Sequence, residues 1–123
     1  MKRSAPLVIA LLSCGPPPAP TFKRVQAEVF DVSCTFAACH VGAGAEGLNL
    51  EAPAYQRIVG VKSHGFDGGV LVVPGQPDDS YLYQKLIQEM PKVGVRMPNV
   101  GDPLEPARLE LVRSWIAEGA KND

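Results

Sequence analysis

Cys34-Thr35-Phe36-Ala37-Ala38-Cys39-His40 is the stretch on which the reading of this chain turns. Two thiols and an imidazole stand close together, and the second thiol is adjacent to the imidazole. Four residues separate the cysteines. On a regular helix that spacing sets the sulfurs about 140° apart around the axis and ~7.5 Å apart along it. Both thiols can therefore address one ligand only if residues 35–38 bulge out as a loop. The small side chains of Ala37 and Ala38 permit the bulge, and Phe36 is expected to turn inward and pack on the ligand.

The N-terminal flank reads as an export signal. Lys2 and Arg3 form a positive start, and residues 5–12 are an apolar run too short to span a bilayer as a helix. Leu11-Leu12-Ser13-Cys14 resembles a bacterial lipoprotein cleavage box. Residues 1–13 are thus expected to be a signal peptide and Cys14 a lipidated first residue; the alternative is an ordinary secretory signal with an incidental cysteine. Gly15-Pro16-Pro17-Pro18-Ala19-Pro20 lies in a stiff tether over 14–21, followed by one domain over 22–120. Once exported, a free Cys34 and Cys39 would form a disulfide unless other chemistry consumed them.

Composition narrows the field. The chain has 123 residues, net charge −1 and no basic run, so nucleic-acid binding is not indicated. Aromatic residues are 7% of the chain, which makes for a modest core unless a large apolar cofactor enlarges it.

The periodicity predicts an all-α domain of about four short helices with long loops. The first spans 22–33, capped by Thr21, with Phe22, Val25, Val29 and Phe30 as its buried stripe. A Gly-rich run over 42–47 follows; with no preceding strand and no closing Lys-Ser or Lys-Thr it is not a phosphate loop. Leu48 and Leu50 are expected in the core. A short helix is expected over 53–59, with Pro53 in its first turn. Residues 70–73 are apolar and β-branched but too isolated to build a sheet. Asp78, Asp79 and Ser80 are candidate caps for a helix over 80–89, whose inner side is Leu82, Tyr83, Leu86 and Ile87. The last helix starts at Pro106, with Leu104 stapled to Leu109. Its apolar face is Leu109, Val112, Trp115 and Ile116, and Gly119 closes it.

A Cys…Cys-His cluster has the general layout of a c-type haem attachment site. Each thiol can add to a vinyl group, and His40 then meets the iron from one side. A second axial ligand is expected from Met97, on a loop before the last helix and beside Pro98, which favours an extended backbone at Met97. Met90 reads as packing and His64 as a solvated histidine in a Gly-rich loop. Arg96 is placed to contact a haem propionate, a solvent-exposed arginine being the alternative.

The order of these elements resembles the class I c-type cytochromes. It is more closely similar to small exported cytochrome-like domains of planctomycetes and myxobacteria. The matching stretches are Cys39-His40, Gly47-Leu48-Asn49-Leu50, Val73-Pro74-Gly75 with Asp79-Ser80-Tyr81-Leu82, Met97-Pro98, and Trp115-Ile116-Ala117-Glu118-Gly119-Ala120. The four-residue cysteine spacing departs from the family's usual two. The resemblance implies one covalent haem held by Cys34, Cys39, His40 and Met97. It also implies electron transfer between protein partners rather than enzymatic turnover. With the N-terminal signal, the expected setting is a monomer on a lipid anchor in the bacterial cell envelope, facing the periplasm or the cell surface.

Three other readings compete. In the first, the cysteines form a plain disulfide in a haem-free exported binding or structural module. Cys34, Cys39, His40 and His64 could bind zinc, although the close histidine pair of a zinc finger is absent. A haem enzyme would need an open iron position, which two axial ligands deny.

The lipid anchor is directly testable. A mature N-terminus at Cys14 carrying acyl chains is expected by mass spectrometry, and Cys14→Ser should release the protein from membranes. A Cys14→Ser protein that stays membrane-bound counts against the anchor.

Overall fold

The computed structural model describes residues 15–123. The expected signal peptide and the expected lipidation at Cys14 lie outside the described residues.

Thr21 is extended, and its hydroxyl oxygen accepts from the Arg24 N–H at 3.3 Å, so the chain turns helical at Phe22. The Arg24 guanidinium also donates to Pro18 O and Ala19 O, pinning the end of the proline-rich segment to this helix. Helix α1 (Phe22–Val25) runs directly into a π-helical stretch, Gln26–Cys34. The predicted helix is therefore present, but most of it is wound more widely than expected. Val25, Val29 and Phe30 are buried in either winding, so the apolar pattern does not separate the two. What separates them is polar. Thr35 N–H donates to Phe30 O five residues back, and the Gln26 amide reaches Asp31 Oδ1 five residues ahead at 2.8 Å.

Helix α2 (Tyr55–Ile58) is shorter than expected, and Pro53 precedes it rather than lying in its first turn. Residues 70–73 form isolated bridges, Val59 with Val72 and Lys62 with Val70, and no strand. This segment explains a difference at helix α3 (Tyr81–Ile87). The expected caps do not cap it. Asp78 and Asp79 lie in a 3₁₀ turn, Pro77–Asp79. The buried Ser80 hydroxyl instead accepts from Val73 N–H and donates to Gln76 O. The Tyr81 and Leu82 amides donate to Val70 O and Leu71 O, both at 2.9 Å, so backbone carbonyls replace side-chain caps. Ile87, expected inside, closes the helix facing solvent at 39% exposure.

Helix α4 (Pro106–Ala117) begins on its proline as predicted. Leu111 joins Val112, Trp115 and Ile116 in the core, while Leu109 is only half-buried. The helix ends in a Schellman arrangement: Ala120 N–H donates to Trp115 O and Gly119 N–H to Ile116 O. Gly119 takes φ 109°, and the buried Ala120 completes the motif.

The regular structure is thus helical, with four α-helices and no strands among the described residues. Its two ends meet. The Phe22 ring lies 5.2 Å from Tyr55 and 5.3 Å from Trp115, centroid to centroid. Around this aromatic junction, Phe22 N–H and Lys23 N–H donate to Asp123. Tyr55 Oη donates to Ala120 O, and Trp115 Nε1 to Lys121 O.

Trp115→Ala should remove about 3–5 kcal/mol of stability, a large share of the ~5–15 kcal/mol typical of a domain. Urea denaturation measures it. A loss below ~1 kcal/mol would show that the junction does not hold the fold.

Candidate functional site

One large cavity, of about 580 Å³, opens between the end of the π-helical stretch, the chain over 39–50, the chain over 56–65, α3 and the loop over 93–100. The volume suits a cofactor-sized ligand, and the lining is mainly apolar. Cys34, Cys39, His40, His64 and Met97 all line it. Helix α4 contributes nothing to the wall.

The cysteine loop bulges as the spacing demands. Cys34 ends the π-helical stretch, and Cys34 O accepts the His40 N–H at 3.1 Å, closing the loop at its base. Between them Ala37 and Ala38 take φ 51° and 60°. A left-handed conformation costs a residue bearing a Cβ roughly 1–2 kcal/mol, so the bulge is held against local preference. Phe36 departs from expectation. It edges the cavity but is 70% exposed, standing at the mouth instead of packing inward.

Both cysteines are free thiols. Cys34 is half-buried against the core, and burial, with a smaller contribution from Cys39, pushes its thiol up to about 12. It is therefore a neutral S–H group at any ordinary pH. Cys39 is exposed at the rim.

His40 is half-buried, with Nδ1 at 3.1 Å from Leu48 O. A carbonyl only accepts, so Nδ1 carries a proton, and in the neutral ring Nε2 is then the nitrogen with the lone pair. This is the arrangement that orients an imidazole toward a metal. The partner carbonyl is itself well placed. Leu50 N–H donates to His40 O at 2.9 Å, and the buried Gln26 amide grips this chain through Leu50 O and the Ala54 N–H.

Met97 is half-buried and packs on the core. Its N–H donates to Lys85 O on α3 at 2.7 Å. The loop is thus tied to α3. His64 also lines the cavity, but it sits against the chain that follows His40. A Cβ on Gly47 would lie 3.0 Å from His64 Nδ1. Met90 is 90% exposed and lines nothing, so it neither packs nor reaches the cavity. Arg96 does not line the large cavity but an adjoining open cleft, which shares Val95, Pro98 and Asn99 with it. The cations that do line the cavity are Arg57, Lys62 and Lys85, none of which the sequence singled out. Arg57 is already engaged with the Asn49 and Glu51 carbonyls.

Among the described residues no three His, Cys, Asp or Glu side chains gather as ligands for a metal ion, so the four-residue zinc set is not assembled. No helix among them is long and apolar enough to cross a membrane. No family model, curated protein or solved structure matches this chain.

The two thiols should differ in reactivity. In the haem-free chain Cys39 is expected to alkylate first, with Cys34 slower by at least about tenfold at pH 8. Peptide mass spectrometry of a time course with iodoacetamide reads this. Equal rates would place Cys34 in solvent.

Proposed function

We propose that this chain is a monohaem c-type cytochrome that carries single electrons in the bacterial cell envelope. The observation that carries the reading is the convergence on one apolar cavity of two free thiols, a pre-oriented imidazole and a thioether. Each group has a distinct job. The Cys34 and Cys39 S–H bonds would add across the two vinyl groups, sulfur to carbon and hydrogen to the neighbouring carbon, giving two thioethers. His40 Nε2, its ring held by the Leu48 carbonyl, and Met97 Sδ would hold the iron. A carbonyl partner on the histidine and a half-buried thioether both act on the iron's potential, and His–Met ligation raises it. When bound, the haem supplies the one-electron couple.

The rim supports an apolar occupant. Phe36, Val95 and Val100 line the cavity at 70%, 53% and 70% exposure, an unusual concentration of apolar surface for a chain that faces water alone. Lys62 lines the cavity too and is a candidate to meet a propionate in place of Arg96, since Arg57 and Lys85 are engaged with backbone carbonyls. The protein would act as a monomer held by the lipid on Cys14, with the proline-rich segment as a spacer and redox proteins as partners.

Protein made with cytochrome-maturation machinery should keep its haem after acid–organic extraction, and a pyridine haemochrome spectrum should report thioether substitution. Met97→Ala should retain that haem, lose the far-red ferric band of methionine ligation and lower the reduction potential. Colourless protein with a Cys34–Cys39 disulfide would overturn the reading in favour of a haem-free module. A ferric spectrum changed by His64→Ala and not by Met97→Ala would reassign the second ligand.

A further inference from the structure

We infer that Lys85 is a positioning residue: its ammonium gathers the loop over 93–97 and so sets Met97 at the cavity wall. The inference rests on the haem-binding reading for its consequence, but its geometry stands apart from it.

Lys85 Nζ donates to Val93 O at 2.8 Å and to Val95 O at 2.7 Å. From the same residue, Lys85 O accepts the Met97 N–H at 2.7 Å. One residue of α3 therefore holds alternate positions of the loop: 93, 95 and 97. The loop is shaped to the ammonium. Gly94 lies at φ 71°, and a Cβ there would come within 3.2 Å of Lys85 Nζ. Tyr81 Oη adds a longer contact to Val93 O at 3.4 Å.

The loop has little else to order it. No helix or bridge covers the chain between Ile87 and Pro106. Val93 and Val95 are 42% and 53% exposed, so within 93–97 only the Met97 side chain packs on the core. The ammonium is also committed in an uncommon way. It forms neither of the ion pairs found among the described residues, which are Arg24–Glu28 and Arg113–Asp78. Its neighbours are carbonyl oxygens, and burial lowers its pKa against an opposing pull from Glu46. The α3 frame beneath is firm, with Leu82 and Leu86 buried on either side of Lys85. A methionine on a loop wanders unless the loop is pinned, and the fraction of time its sulfur is in place scales the strength of its ligation.

Lys85→Met tests this, because it keeps the aliphatic stem and removes the donors. Gly94→Ala disturbs the same contact from the loop side, by crowding the ammonium and straining a backbone that lies at φ 71°. Lys92→Met is the exposed control. In the haem-free chain, amide exchange at 93–97 should accelerate about tenfold or more in both variants and stay unchanged in the control. In the haem-loaded protein both should keep covalent haem but show a weakened far-red ferric band. They should also bind added imidazole about tenfold more tightly than wild type. Wild-type exchange and wild-type imidazole affinity in Lys85→Met would overturn the inference. A wild-type protein that takes up no haem would overturn the reading of the site instead, while the exchange data would still decide whether Lys85 holds the loop.

Discussion

The contact of Phe22 with Trp115 and Tyr55 is the constraint on which the rest of the structure depends. It joins the first helix to the last and brings α2 in beside them. Asp123 receives the free amides of Phe22 and Lys23, so unsatisfied donors at a helix start are met by the far end of the chain. Everything between must then loop out from this junction and return to it. The cavity lies in that excursion, away from α4, whose part is to close the fold and not to line the site.

Two different kinds of order meet at the cavity. On the His40 side the chain is fixed by buried polar contacts. Gln26 holds Leu50 O and Ala54 N–H, Leu50 N–H holds His40 O, and Leu48 O orients the imidazole. Breaking any of these leaves a polar group without a partner, which is why such a chain behaves as a unit. On the Met97 side the chain has no regular structure and few buried side chains. It is held by one lysine and one main-chain bond from α3.

The cysteine loop stores a local cost. Ala37 and Ala38 are left-handed although glycine would occupy those angles without penalty. The helix end at Thr35 and the Cys34–His40 backbone bond hold the loop in that form. Keeping the second thiol beside the histidine preserves their relation, whatever path the four intervening residues take.

Much of the fold was legible in the chain itself. Helix periodicity placed the buried stripe from Phe22 to Phe30 and the face through Val112, Trp115 and Ile116, because the burial of apolar side chains follows spacing. Thr21, Pro106 and Gly119 marked helix ends, because their preferences act on their own backbone. The adjacency of Cys39 and His40 and the need for a bulge were also local facts. The π winding of Gln26–Cys34 was not, since the apolar stripe is buried as an α-helical pattern leads one to expect and does not mark the wider turn. The capping of α3 by Val70 and Leu71 carbonyls, the Leu48 carbonyl on His40 and the grip of Lys85 were likewise hidden. Each of these uses main-chain groups of a distant segment, and every residue has the same main chain. Composition cannot mark such a partner; only the folded path of the chain decides which carbonyl arrives.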